Sequence, residues 1–291
     1  MPRGEDPVPA VALLLVGIGA LAHTGWNLAA KRASGSGIPF IWLSSLIAML
    51  VVTPFAVGAL SDGTPLPRVL GAGVVSGLIH IGYFLLLQQG YRTGDVSLVY
   101  PIARGTGPLL SMIGSVLIFA ERPSPISLAG GVVIIAGVAV IGFAGSRGVA
   151  IDPGLVSYGL ATGVMIGSYT LWDSYSVTTL AISPMVQSWL GSVTEVVVLL
   201  PLVLGPSRRG PGLVRSNLRG ALIVGIGSPL AYISIMYAMR YAPTALVAPG
   251  REVSVVLVSL AGWLIFSEPN PRPRLIGSAI VLIGIVALAL G

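Results

Sequence analysis

The sequence predicts an all-α polytopic membrane protein, with ten transmembrane helices arranged as two inverted five-helix repeats. Three observations lead there: scarcity of charge, the length of the apolar runs, and self-similarity at a separation of about 147 residues. Of the 291 residues, 54% are hydrophobic, a further 39 are glycine, and only 9% are charged. An average soluble domain carries about 25% charged residues, so a water-facing surface could not be covered by this chain. Disordered chains are poor in the apolar residues that dominate here. The bulk solvent for most of the chain is lipid.

The net charge of +6 does not point to nucleic acid. Basic residues stand singly or in pairs between apolar runs, as at Lys31-Arg32 and Arg208-Arg209, with no basic face or tail. In membrane proteins such residues set orientation. Cysteine is absent, which removes disulfides, thiol catalysis and thiolate metal sites.

A helix needs about 20 apolar residues to cross the hydrocarbon core. Stretches free of Asp, Glu, Lys and Arg run at 7–30, 33–61, 69–91, 123–146, 153–172, 174–194, 220–239 and 275–291. Two further apolar runs, near 96–119 and 244–266, are long enough but carry charge inside them. Ten spans follow, at about 8–30, 38–58, 68–91, 96–119, 125–144, 153–175, 183–205, 217–241, 244–266 and 272–290. Continuous runs such as Gly131–Phe143 are helical, since barrel strands would alternate in segments of about ten residues. Ala20-Leu21-Ala22 resembles a signal-peptide cleavage site, but Glu5 and Asp6 outweigh Arg3 before it. The first span therefore reads as a retained helix. Lys and Arg number four on the side of the termini and ten on the other, which places both termini outside the cytoplasm.

The repeat is visible in residues. Phe119-Ala120-Glu121, followed by Leu128-Ala129-Gly130, matches Phe266-Ser267-Glu268, followed by Leu275-Ile276-Gly277. Pro101 and Arg104 face Pro249 and Arg251, and Tyr83 faces Tyr232 with a small slip. The halves are 1–147 and 148–291, each with five spans. An odd number inverts the second half relative to the first. Inverted repeats with interrupted spans at matching positions characterise secondary transporters, with substrate near the midplane where the halves meet. Charges inside spans are functional by default, because insertion costs at least ~2.5 kcal/mol each. Arg104, Glu195, Arg251 and Glu252 are those charges.

On these residues, and on Trp26-Asn27 with Lys31 closing span one, the chain resembles the drug/metabolite transporter superfamily, specifically its ten-span EamA-type members. It looks most like the YddG-type exporters of aromatic amino acids. The resemblance implies spans 1, 3, 4, 6, 8 and 9 around a central cavity, metabolite efflux, and no prosthetic group. The four-span multidrug relatives carry a carboxylate in span one. Residues 8–30 here have none, which weakens a lipophilic-cation role.

The candidate substrate-binding residues are Trp26, His80, Tyr83, Tyr100, Tyr169, Trp172 and Tyr232. His80 and Tyr83 are three apart and share a helix face. Rings, an imidazole and hydroxyls suit a zwitterion with a flat apolar side chain: rings stack on rings, ring faces attract ammonium, and arginine receives carboxylate. His80 also fits a satisfied structural role, and Trp172 equally suits a membrane-interface anchor. Asp173 beside it reads as interfacial. For Arg104 and Arg251 the preferred reading is pairing with Glu252, Asp95 or carbonyls freed by the prolines, since buried charges are usually paired. Glu195 or His80 would serve proton coupling. Pro101 and Pro249 are candidate hinges, because proline removes a backbone hydrogen bond. Gly73 and Gly77, and the ridge Gly159, Gly163 and Gly167, permit close helix packing.

No nucleophile elbow, phosphate loop or metal-spaced cluster occurs in the sequence, so no enzyme, cofactor or metal is expected. The expected function is export of amino acids, aromatic ones preferred, by alternating access across the inner (plasma) membrane, by a monomer that partners only substrate and lipid. A carrier of sugar phosphates or other organic anions is the alternative, for which the paired arginines would be essential. Small-molecule drug efflux stands beside it.

Overall fold

The computed structural model describes residues 8–32, 37–60, 65–93, 96–143, 153–205, 218–266 and 271–290. Regular structure among them is entirely α-helical. In the first half run α1 (Ala10–Arg32), α2 (Gly37–Ala59), α3 (Leu66–Thr93), α4 (Val96–Ile118) and α5 (Pro125–Phe143). The second half holds α6 (Pro153–Thr178), α7 (Pro184–Leu204), α8 (Leu218–Tyr241), α9 (Thr244–Gly250), α10 (Val253–Phe266) and α11 (Pro271–Leu290). Span nine is thus built from two helices, α9 and α10. The ten expected spans are present. The boundary at 147/148 lies outside the described residues.

Helix starts follow local chemistry. α5, α6, α7 and α11 each open on proline, whose missing N–H is one of the donors a helix start leaves unpaired anyway. The ends of α4 and α6 are alike in a different way. Ala120 and Ala181 adopt left-handed conformations, with φ of +53° and +57°. The next N–H reaches back six residues in each case, from Glu121 to Ser115 O and from Ile182 to Ser176 O. These closures reach one residue further than a Schellman bond and put alanine in the left-handed position that glycine usually takes. They aim the following residues, Glu121 among them, back across the bundle.

Large apolar side chains point outward along the helices; Leu117 and Leu290 are 77% and 78% exposed. Such a surface suits acyl chains rather than water. Inside, close approach depends on glycine. The ridge of α6 lies against α4: a Cβ on Gly159, Gly163 or Gly167 would stand 2.8, 2.6 and 3.0 Å from Ile102, Thr106 and Leu110. Gly73 and Gly77 of α3 meet Leu190 and Thr194 of α7 in the same manner. Both ridges serve the close packing expected of them.

The inversion of the halves can be read from α5 and α11, which pack tightly together. Gly130 and Gly137 are the 147-residue counterparts of Gly277 and Gly284. A Cβ on Gly130 would lie 2.7 Å from Gly284 O, and one on Gly137 would lie 2.8 Å from Gly277 O. Residue 130 therefore meets 284 while 137 meets 277. Such reciprocal contacts require a twofold relation between antiparallel helices, as in an isologous dimer interface. The axis lies in the membrane plane. Other contacts obey it: α1 packs on α8 as α6 packs on α3, and α3 on α7 as α8 on α2. The halves interdigitate, and their junction runs through the middle of the bundle.

Candidate functional site

Spans four and nine bring the charges to that junction by different means. In α4, Pro101 and Pro108 sit inside a continuous helix. The ring of Pro101 is accommodated by α5, where a Cβ on Gly142 would come within 2.3 Å of it. Span nine breaks. Pro249 offers no N–H to Ala245 O, and the chain tightens to i→i−3 bonds from Glu252 to Pro249 O and from Val255 to Glu252 O. Matching interruption of both spans was the expectation; only span nine is interrupted. The break sets Arg251 and Glu252 side by side, 9% and 0% exposed.

Arg104 lies about 12 Å along α4, and Arg251 about 10 Å beyond the start of α9, at 1.5 Å per residue. These two helices start from opposite faces, so both residues are near the midplane. They converge on one oxygen: Glu252 Oε1 is 3.4 Å from Arg104 Nη1 and 3.3 Å from Arg251 Nε. Arg104 and Arg251 are repeat counterparts, so this carboxylate sits close to the pseudo-twofold axis. The pairing expected from sequence is present. Arg104 Nη2 also donates to His23 Nε2 at 3.0 Å; a guanidinium has no acceptor, so this imidazole nitrogen carries the lone pair. Arg251 Nη1 is 3.4 Å from the Thr170 hydroxyl, and its guanidinium stands 5.9 Å from the Tyr169 ring centre.

Tyr169 links the charges to an aromatic group. His80 stacks on it at 4.1 Å, with Tyr232 edge-on to His80 at 5.4 Å and Tyr83 edge-on to Tyr169 at 5.9 Å. His80 Nδ1 lies 2.9 Å from Ser76 O, and a carbonyl only accepts, so Nδ1 carries the proton. Four of the seven candidate ligand residues are therefore in mutual contact: His80, Tyr83, Tyr169 and Tyr232. Trp172 stands apart from them. Its indole donates to Ala72 O at 2.9 Å, and it packs against the apolar cluster that includes Val52, Ile182 and Val186. Trp26 lies edge-on to His23 at 4.8 Å, and its buried indole nitrogen meets no hydrogen-bond partner among the described residues. The side chain of Tyr100 lies outside the described residues. Glu195 accepts from the Ser45 hydroxyl between α7 and α2.

Asp173 departs from its expected interfacial place. It is fully buried, five residues before the end of α6. Tyr232 donates its hydroxyl to one oxygen, and Gln187 Nε2 donates to the other at 2.7 Å. Sequence spacing pointed to none of His23, Thr170 and Gln187, and to Asp173 only as an interfacial residue. One signal for three of them was available: His23-Thr24-Gly25-Trp26-Asn27 and Tyr169-Thr170-Leu171-Trp172-Asp173 are a second repeat element, offset by 146. The structure uses it symmetrically, with His23 meeting Arg104 and Tyr169 meeting Arg251.

At the end of the bundle holding the start of α1 and the end of α11, the halves are tied together. Glu121 accepts from the Thr244 and Ala245 N–H groups at 2.8 and 2.9 Å, one carboxylate oxygen to each. Ser174 and Thr244 share a hydroxyl bond, and Phe119 stacks on Tyr175. Arg240 collects the carbonyls of Val177, Ala181 and Ile182 that the end of α6 leaves open. This explains the first of the twin Phe-x-Glu motifs. Its second copy, at Glu268, lies outside the described residues.

No group of three or more metal-ligating side chains occurs among the described residues. Comparison with curated proteins finds no significant match. Among solved structures 29 chains match. One, described only as the crystal structure of a protein, has a TM-score of 0.78 at 20% identity, over 96% of each chain. At that identity the likeness is one of fold. The sequence pattern of the EamA-like transporter family matches twice, at residues 10–143 and 155–290. Two matched halves, inverted about an axis in the membrane plane, place this chain in the EamA-like transporter family, as a multi-pass membrane transporter of small molecules.

Proposed function

We propose that this transporter exports amino acids, aromatic ones preferred, across the inner (plasma) membrane by alternating access. The observation that carries the reading is the contact of the His80, Tyr83, Tyr169 and Tyr232 ring group with the charged centre at the midplane. Rings offer an offset or edge-on surface to an aromatic side chain, and the charged centre offers partners to its polar head. In this reading the chain acts as a monomer, with repeats at 1–147 and 148–291 and both termini outside. It resembles the YddG-type exporters in function as well as layout. Pro249, at the observed break, is the stronger hinge of the two proline candidates. Trp26 extends the site from span one, Tyr100 is proposed as a further ligand residue on its sequence position in span four alone, and Trp172 holds α6 against α3. Proton coupling, where present, falls to Glu195 or His80.

The repeat-related pair Arg104 and Arg251 supports a second reading, transport of sugar phosphates or other organic anions. One assay separates them: uptake of labelled phenylalanine, threonine, a hexose phosphate and a quaternary ammonium into proteoliposomes, with and without a pH gradient. Flux of phenylalanine above that of the others is expected. Anion-only flux would replace the first reading with the second. In the same vesicles, Tyr83→Leu or His80→Leu is expected to lower phenylalanine flux about fivefold at unchanged yield of folded protein. Unimpaired flux would remove that residue from the site.

A further inference from the structure

The ion pair between Arg251 and Glu252 is incomplete in a way that matches the head group of an amino acid. Arginine and carboxylate in a settled buried pair use two parallel bonds of about 2.7–2.9 Å. Here a single contact of 3.3 Å joins Arg251 Nε to Glu252 Oε1. Arg251 Nη2 and Glu252 Oε2 are buried and meet no hydrogen-bond partner among the described residues. Glu252 is fully buried and the Arg251 side chain is 10% exposed, so neither atom is satisfied by bulk water. Leaving a charged donor and a charged acceptor unpaired in the interior is costly. Both atoms belong to adjacent residues at the break in span nine, near the midplane, beside the Tyr169 ring.

An α-amino acid carries the complementary pair on one carbon: a carboxylate that accepts and an ammonium that donates. We infer that Arg251 and Glu252 form a head-group subsite for α-amino acid zwitterions. Arg251 Nη2 donates to the α-carboxylate, Glu252 Oε2 accepts from the α-ammonium, and the side chain lies against Tyr169. The inference rests on the reading of the chain as an amino acid carrier. It adds that both charges of the cargo are recognised, by residues on one element. An anion carrier would need the arginine alone.

Equilibrium binding to the purified protein, by calorimetry, tests this without requiring transport. The probes are phenylalanine, phenethylamine, which lacks the carboxylate, and 3-phenylpropionate, which lacks the ammonium. Phenylalanine is expected to bind at least ~tenfold tighter than either analogue, since each loses one charge-assisted bond. Equal binding of either analogue would overturn the subsite, as would no binding of phenylalanine. Glu252→Gln keeps an oxygen for the arginines and removes the charge that faces the ammonium. It is expected to weaken phenylalanine at least ~tenfold and to leave 3-phenylpropionate unchanged or tighter. Equal weakening of both would assign Glu252 a purely structural role. Phenylalanine that binds with this pattern but shows no flux in vesicles would contradict the transport reading and leave the subsite standing.

Discussion

Replacing Glu252 with leucine is expected to destabilise the folded protein by about 3–5 kcal/mol, the cost of breaking a buried ion pair from one side. The carboxylate is the shared partner of Arg104 and Arg251, which approach it from opposite halves of the bundle. Without it, Arg251 keeps, among the described residues, a 3.4 Å contact to the Thr170 hydroxyl and the Tyr169 ring 5.9 Å away. Neither neutralises a guanidinium. The measurement is the temperature at which monodisperse protein is lost in detergent. A triple replacement, R104M/R251M/E252L, is expected to recover most of that loss, because apolar side chains of similar volume often substitute for a buried charged group without penalty. It is expected to lack substrate binding altogether. Wild-type stability for the single variant would mean that the three charges do not depend on one another.

The second large effect is at the tied end of the bundle. Glu121 belongs to the first half and Thr244 and Ala245 to the second, so separating the halves there must break both of its bonds. Hydrogen bonds to charged groups contribute about 1.5–3 kcal/mol each, and 1.4 kcal/mol is a factor of ten in population. Glu121→Ala is therefore expected to raise the population open at that end at least ~tenfold. The chain has no cysteine, so a single introduced thiol is an unambiguous reporter. Val177, 1% exposed and beneath the Arg240 cap, is the place for it. In the V177C background, Glu121→Ala should accelerate labelling by a membrane-impermeant thiol reagent about tenfold. Glu121→Gln should fall between, since its amide keeps one accepting oxygen. An unchanged rate would show that this contact does not hold the end closed.

The fold was legible because its causes are local and repetitive. Lipid as solvent demands long apolar runs, and runs such as Gly131–Phe143 or 275–291 admit little else. The repeat was legible in Phe119-Ala120-Glu121 and Phe266-Ser267-Glu268 because they share residue types at fixed spacing, and the first copy performs a job at a helix boundary. The break in span nine was half legible. Pro101 and Pro249 look equivalent in sequence, but Gly142 on the neighbouring helix lets α4 absorb its proline, and a neighbour's glycine is invisible to local reading.

The candidate site divided along the same line. His80 and Tyr83 advertise a shared face by their spacing, and Tyr169 and Tyr232 join them across helices. Asp173 was misplaced because proximity to a span end suggests water, whereas α6 continues to Thr178 and its last turn is covered by α9. His23 shows no partner by spacing. Its partnership with Arg104 spans 81 residues of sequence, a distance that spacing rules do not bridge.

The central claim is that an aromatic amino acid occupies the midplane junction between the halves. Its most direct test is a cryo-electron microscopy map of the protein with saturating phenylalanine. The expected result is density whose ring lies against Tyr169, with Tyr83 or Tyr232 beside it, and whose head group faces Arg251 and Glu252. Ligand density confined to the lipid-facing surface, with the junction closed by the same ring contacts as before, would contradict the claim.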